Sequence, residues 1–326
     1  MDIELQNIDN EINNKTILIT GGTGTFGYQM TETLLQFKPK QIIILSRDEL
    51  KQSEMKKHFN NNLLKFVIAD IKDKDSLNFK NVDIIFHAAA LKHINIAEEN
   101  PFETIKTNIL GSQNVIDKSI YYNVKKIIFI STDKAVEPTN IYGSTKFCAE
   151  KLFINASLNS SVKIAVVRYG NVFCSRGSVI PLFINQAKQG KTLTVTDRNM
   201  TRFNMIKQDA INFVLNSLNM MIGGEIFVPI LKKYNLFNLA AMFSDNITII
   251  GNRGSEKLHE LMISKVESQN TIKRNDFYVI IPHNNDNSEY TKTYGNAFCN
   301  PQWEYSSNEA VELTRDDVIY MINNFS

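Results

Sequence analysis

The sequence predicts an α/β protein, a doubly wound parallel sheet followed by a smaller mixed α/β domain. Three observations carry that expectation. Short apolar runs alternate with segments long enough for helices, the first run empties into a glycine-rich turn, and the rhythm weakens after about Val172. Six runs, at 15–20, 41–46, 64–69, 83–88, 126–131 and 163–168, are rich in Ile, Val and Phe and lack polar alternation. Strands buried on both faces read this way, as in sheets wound by right-handed crossovers. Between them, 25–36, 101–123 and 142–158 have helical spacing. Pro101 suits a first helical turn, with Asn100 as its N-cap. Residues before 15 read as a polar leader and 283–288 as a loop. The division falls into 1–172 and 173–326, with the chain crossing back to the sheet.

Composition excludes several classes. Of 326 residues, 36 are Lys or Arg and 34 Asp or Glu, a net charge of +2, so there is no cation excess for a dedicated nucleic-acid binder. The 43% hydrophobic content suffices for a packed core. No apolar run approaches the ~20 residues of a membrane-spanning helix. The acidic start, Met1-Asp-Ile-Glu-Leu-Gln, lacks a signal-peptide core, so a cytoplasmic protein is expected. Cys148, Cys174 and Cys299 are widely spaced and suggest neither a disulfide framework nor a zinc site, and no metal-ligand spacing connects the histidines.

The turn after the first strand reads Gly21-Gly22-Thr23-Gly24-Thr25-Phe26-Gly27 and opens a helix. Glycines allow a tight turn, close backbone approach to a pyrophosphate and close helix–strand packing, and the helix N-terminus offers free N–H groups to phosphates. Strand, turn and helix in this order, at the head of a repeating βα pattern, favour nucleotide binding over a plain turn. The second strand ends Ser46-Arg47-Asp48-Glu49-Leu50-Lys51. Ser46, Arg47 and Lys51 suit a 2′-phosphate and favour NADP; against this, Arg47 and Lys51 suit solvent equally and Asp48 offers an NAD-type ribose partner.

The strand at 126–131 runs into Ser131-Thr132-Asp133-Lys134, and Tyr142-Gly-Ser-Thr-Lys146 opens the next helix. Residues four apart share a helical face, so Lys146 is expected beside the Tyr142 phenol. An ammonium there, with a cationic nicotinamide, favours phenolate, a base for a sugar hydroxyl while hydride leaves the same carbon. Asp133 and Lys134 exceed what a simple dehydrogenase needs. Acid and amine at the carboxyl end of a strand, where such sheets bind ligands, suggest further proton transfers.

These motifs closely resemble the UDP-N-acetylglucosamine 4,6-dehydratase (inverting) family, extended short-chain dehydrogenase/reductases that supply 6-deoxy amino sugars for surface glycans. The resemblance covers nearly the whole chain: 17–27, 46–55 (SRDELKQSEM), 87–96 (HAAALKHINI), 131–135 (STDKA), 168–172 (RYGNV), 175–181 (SRGSVIP), 200–203 (MTRF), 223–229 and 256–260 (EKLHE). The related dTDP-glucose dehydratases carry Asp-Glu in place of Asp133-Lys134, and 4-epimerases carry neither.

The resemblance implies a Rossmann sheet holding tightly bound NADP and a UDP-N-acetylglucosamine substrate. Hydride leaves C4 with Tyr142 as base and Thr132 orienting the hydroxyl. Lys134 then removes the acidified C5 proton while Asp133 protonates the departing C6 hydroxyl, and hydride returns to C6. Reprotonation from the opposite face inverts C5. Gly21, Thr23, Gly24, Thr25, Phe26, Gly27, Asp70, Ile71, Ala88 and Val172 would line the cofactor, and Lys92 and Lys146 would touch it. Lys92, Asn171, Thr196, Met200, Arg202, Arg253 and Glu256 would bind the UDP-sugar. The family's Arg-Pro-Gly-Glu reads Arg253-Gly254-Ser255-Glu256 here, and Cys174 replaces a small residue. By analogy the protein is expected to form homo-oligomers, dimers or hexamers. Competing readings are a retaining dehydratase, a UDP-sugar 4-epimerase and a non-enzymatic NADP sensor; the last two leave Asp133 and Lys134 or the intact tyrosine and lysine without a role.

Overall fold

Each of the six apolar runs forms a strand: β1 (Thr16–Thr20), β2 (Gln41–Ser46), β3 (Leu64–Ile68), β4 (Ile84–His87), β5 (Lys126–Thr132) and β6 (Lys163–Tyr169). The computed structural model describes residues 5–173, 178–251, 254–283 and 287–323. These strands pair in parallel in the order β3-β2-β1-β4-β5-β6. The order reverses between β1 and β4, the place where a doubly wound sheet opens a ligand crevice.

Helices α1 (Leu5–Ile12), α2 (Thr25–Leu34), α3 (Glu49–Phe59), α4 (Ile94–Glu99), α5 (Pro101–Ile105), α6 (Gly111–Tyr121), α7 (Ile141–Leu158), α8 (Val179–Lys188) and α9 (Lys207–Met220) follow in chain order. Successive strand residues serve opposite layers, because side chains alternate across a sheet. Ile17, Ile19, Ile42 and Ile44 pack with residues of α1, α2 and α9, whereas Leu18, Ile43 and Leu45 pack with residues of α6 and α7.

The later strands are β7 (Asn171–Val172), β8 (Leu193–Val195), β9 (Thr201–Met205), β10 (Ile226–Pro229), β11 (Lys232–Asn235), β12 (Ile247–Ile249), β13 (Leu261–Ile263), β14 (Thr271–Lys273), β15 (Phe277–Ile280) and β16 (Tyr305–Ser306). The chain returns to the main sheet: β10 adds parallel to β6, and β15 and β14 extend the edge antiparallel. β9 lies between β7 and β11 in a three-stranded sheet. A separate apolar cluster, with Phe173, Phe183, Leu193, Val195, Met200 and Tyr234 among its members, forms around these elements.

Several expectations are corrected. The polar leader contains α1, whose Ile8 and Ile12, four residues apart, are buried against the main core. The run at 64–69 is an edge strand rather than a buried one, and Ile68 is 62% exposed because no neighbour covers that side. α3 was not expected: it buries only Gln52 and Met55, and its ends are set by Asp48 as N-cap and left-handed Asn60. The helix at 101–123 is interrupted by a π-helical turn over Lys106–Leu110. That turn presents Asn108, whose amide bonds both backbone groups of Leu91 and the Thr145 hydroxyl, a common use of such bulges near functional sites. Asn100 precedes α5 but does not cap it; its amide donates to the Ile96 carbonyl. Of the loop at 283–288, Ser288 opens a helix (Ser288–Tyr294) and 284–286 lie outside the described residues.

Arg168, at the end of β6, is fully buried between two carboxylates. It meets Glu150 of α7 at 2.6 Å and Glu267 at 3.0 Å, and donates to the Met262 carbonyl at 2.8 Å. Glu150 in turn accepts from Ser131, the residue before Thr132. Removing one member of a buried pair leaves an uncompensated charge, so Arg168→Ala is expected to lose about 3–5 kcal/mol in urea unfolding. A loss below about 1 kcal/mol, the scale of an exposed pair, would contradict this account of the network.

Candidate active site

The crevice between β1 and β4 opens into a cleft of about 1350 Å³ that extends to β7, β9 and α8. One wall is the glycine turn. Gly21 has φ +64°, and a Cβ there would meet the Ala89 Cα at 2.8 Å; a Cβ on Gly27 would lie 2.3 Å from the Gly22 carbonyl oxygen. The first glycine thus permits the turn and the last permits α2 to pack on it. No side chain caps α2 at Gly24, so its leading N–H groups are available to a ligand. Gly21, Thr23, Gly24, Thr25 and Phe26 line the cleft, while Gly27 sits behind it as packing. A backbone cradle of this kind fits a dinucleotide pyrophosphate.

At the end of β2, Ser46, Arg47 and Lys51 also line the cleft. Asp48 lines it too, and its carboxylate caps α3 by accepting from the Lys51 N–H at 3.0 Å and pairs with the Lys51 ammonium. Arg47, 56% exposed in its side chain, lies 3.7 Å from Asp70, which also pairs with Lys72. Asp70, Ile71, Ala88 and Lys92 continue the same wall, and Val172 lies across from it.

Of the strand-end motif, Ser131, Thr132 and Lys134 line the cleft and Asp133 does not. Thr132 donates to Asp133 Oδ1 at 2.9 Å, and the Lys134 ammonium donates to the same oxygen at 3.0 Å and to Asn171 Oδ1 at 3.1 Å. Asp133 is fully buried, and its Oδ2 has no hydrogen-bond partner among the described residues. Burial raises its pKa, with the neighbouring ammonium opposing. Burial works to lower Lys134, yet the carboxylates of Asp133 and Glu260 outweigh it and hold the ammonium above its ordinary range. Burial pushes the Tyr142 phenol up to about 12, and the Lys134 charge opposes that rise.

Lys146 sits differently from the expectation. Its ammonium donates to the Ile130 carbonyl at 2.6 Å and lies 3.9 Å from the Phe129 ring centroid. Burial lowers it to about 7, with Glu150, one turn further along α7, pulling the other way. Helical spacing sets the face but not the reach of a long side chain, so it did not show that this ammonium bonds the Ile130 carbonyl.

Asn171, Thr196, Met200, Arg202 and Glu256 all line the far half of the cleft. Arg202 is buried, with one guanidinium nitrogen on the Thr201 and Leu258 carbonyls and another 3.0 Å from the Met200 sulfur. It lies 3.9 Å from Glu256 and 3.6 Å from Glu260. Arg253 and Cys174 lie outside the described residues. His259 shares a hydrogen bond with Thr201 at 2.8 Å.

Sequence reasoning missed Glu260, Lys257 and Tyr234, which also line the cleft. The one signal for the first two was their place in the Glu256–Glu260 segment; Tyr234 carried none, since β11 brings it in from a different part of the chain. The Gly27 contact yields a direct test. Gly27→Val must open the turn, and is expected to weaken binding of a reduced nicotinamide dinucleotide at least about tenfold in a fluorescence titration. Affinity equal to the parent's would contradict the cradle.

Comparison with known proteins agrees with this geometry. The model of the polysaccharide biosynthesis protein family matches residues 17–282. UDP-N-acetylglucosamine 4,6-dehydratase (inverting) of Campylobacter jejuni subsp. jejuni serotype O:23/36 (strain 81-176) is 49% identical over 279 residues, 83% of this chain and 84% of its own. UDP-glucose 4-epimerase of Rickettsia canadensis (strain McKiel) is 41% identical over 296 residues, 86% of either chain. Among solved structures, Pen from Bacillus thuringiensis superposes with a TM-score of 0.87 at 34% identity, covering 96% of this chain and 99% of that one. The chain belongs to the polysaccharide biosynthesis protein family of extended short-chain dehydrogenase/reductases, alongside the inverting UDP-N-acetylglucosamine 4,6-dehydratases.

Proposed function

We propose that this protein is a UDP-N-acetylglucosamine 4,6-dehydratase that inverts C5, forming UDP-2-acetamido-2,6-dideoxy-β-L-arabino-hexos-4-ulose. The observation that carries the reading is the buried Asp133–Lys134 pair at the end of β5, beside Tyr142 and Thr132. The Campylobacter relatives, named for this reaction, support it.

The bound nicotinamide supplies a reversible hydride acceptor for the sugar. Tyr142 takes the C4 hydroxyl proton, Thr132 holds that hydroxyl, and Lys146 positions the cofactor ribose. The C4 ketone acidifies C5. Lys134 then takes the C5 proton and Asp133, whose acid form burial favours, donates to the C6 hydroxyl, so that C5–H and C6–O break and water leaves. A proton passing from Lys134 to Asp133 across their 3.0 Å contact generates the free amine and the acid together. Asn171 holds the lysine at 3.1 Å, and Thr196, Met200, Arg202 and Glu256 receive the UDP-sugar, with Lys92 near both ligands.

NADP is the cofactor we favour over NAD. Ser46, Arg47 and Lys51 line the cleft at the end of β2, where a hydroxyl and two cations suit a 2′-phosphate, and the Asp48 carboxylate beside them is shared between the α3 cap and Lys51. On this reading residues 1–172 hold the cofactor and 173–326 mainly the sugar nucleotide, in a cytoplasmic homo-oligomer. Among the described residues no helix is long and apolar enough to cross a membrane.

A UDP-sugar 4-epimerase is the second reading, favoured by the Rickettsia relatives of that name, but it gives Asp133 and Lys134 nothing to do. Incubation with UDP-N-acetylglucosamine in heavy water, followed by NMR, separates them. The expected product is a 4-keto-6-deoxy sugar with deuterium at an inverted C5. Retained C5 configuration would overturn inversion, and C4 inversion without water loss would overturn the dehydratase reading. The purified protein is further expected to bind NADP more tightly than NAD; the reverse order would overturn the cofactor choice.

A further inference from the structure

Lys134 faces a second carboxylate that the mechanism above does not use. Glu260 is 3% exposed, and its Oε1 lies 3.4 Å from Lys134 Nζ and 3.6 Å from Arg202 Nε. Its Oε2 is buried without a hydrogen-bond partner among the described residues, although Glu260 lines the cleft. The backbone around it is pinned: its N–H donates to the Ser307 hydroxyl at 2.9 Å, and its carbonyl accepts the Ser307 N–H at 2.8 Å. A buried carboxylate so placed needs a charge to balance it, and carboxylates stay buried only when paired.

We propose that Glu260 is a positioning residue for Lys134, stabilising the positive charge that arises on the lysine as it takes the C5 proton. The inference rests on the dehydratase reading. In that step the C5–H bond breaks and an N–H bond forms on Lys134. The electron pair left on C5 forms the C5–C6 double bond, and the C6 oxygen departs as water with the Asp133 proton. The lysine becomes an ammonium and Asp133 a carboxylate, so the cluster ends as the alternating row Asp133, Lys134, Glu260, Arg202. In this structure the four groups lie in that order, each carboxylate beside a cation.

The charged and titratable groups around Lys134 are Asp133 beside it, Glu260 and Lys257 from the 256–260 segment, Arg202 from β9, Lys92 after β4, Tyr142 from α7 and Tyr234 from β11. Among these only Asp133 and Glu260 bring negative charge close to the ammonium as carboxylates. Glu260 also raises Asp133, so its removal lowers the proton affinity of acid and base together.

The test follows the pH dependence of water loss in single turnovers of the NADP-loaded enzyme with UDP-N-acetylglucosamine, alongside reduced-cofactor absorbance for C4 oxidation. In Glu260→Gln both limbs of the pH–rate profile are expected to move to lower pH by about one unit or more. The plateau rate of water loss falls at least about threefold, as for a weaker base, and by more than the rate of C4 oxidation does. Glu260→Asp, which keeps the charge but draws it back, should move the profile less and in the same direction. An unmoved profile in Glu260→Gln, whatever its rate, overturns the proposal; if Glu260→Gln does not fold, an unmoved profile in Glu260→Asp with slowed water loss does so. A parent enzyme that forms no 6-deoxy product instead removes the dehydratase reading and this inference with it.

Discussion

Two carboxylates, Asp133 and Glu260, lie within 3.4 Å of one ammonium, Lys134, where little water reaches. In such a place Coulomb attraction is strong and desolvation is costly, so the groups must satisfy one another or neutralise. Asp133 and Glu260 each retain one oxygen with no partner among the described residues. Most of the surrounding architecture can be understood as holding these charges apart from solvent while leaving Lys134 open to the cleft.

The scaffold does this from several directions. β5 ends at Thr132 and the chain turns at once, so Asp133 and Lys134 project at the carboxyl edge of the sheet. α7 starts under Asn140, whose side chain caps it, and brings Tyr142 to the same edge. Gly143 in that first turn has no room for a side chain, since a Cβ would lie 2.2 Å from the Lys134 carbonyl oxygen. Glu260 and Arg202 arrive from the second half of the chain, joined through Thr201 and Ser307. The Arg168–Glu150–Glu267 network sits beneath and ties β6, α7 and the segment after β13 into one block.

Much of this was legible in the amino acids. Five of the six strands, β1, β2, β4, β5 and β6, follow from apolar runs that only a sheet covered on both faces can bury, whereas β3 is a partly exposed edge strand. The glycine turn and the Ser131–Lys146 constellation were readable because backbone geometry demands those residue types at those spacings. α1 and α3 were not, since two buried isoleucines in one and Gln52 and Met55 in the other give a weak helical signal. The π-helical turn at Lys106–Leu110 left no compositional mark. The reach of Lys146 toward Ile130, and the arrival of Glu260 and Tyr234, depend on side-chain direction or on tertiary contacts between segments far apart in the chain, neither of which spacing encodes.

The central claim is that C4 oxidation and water loss use separable groups, Tyr142 for the first and the Asp133–Lys134 pair for the second. A single turnover of Lys134→Ala with UDP-N-acetylglucosamine tests it most directly, reading reduced-nicotinamide absorbance and sugar NMR together. The account predicts that the cofactor is still reduced, more slowly because the Tyr142 phenol loses the Lys134 charge, while no 6-deoxy sugar forms. Formation of the 6-deoxy product at the parent rate would contradict it.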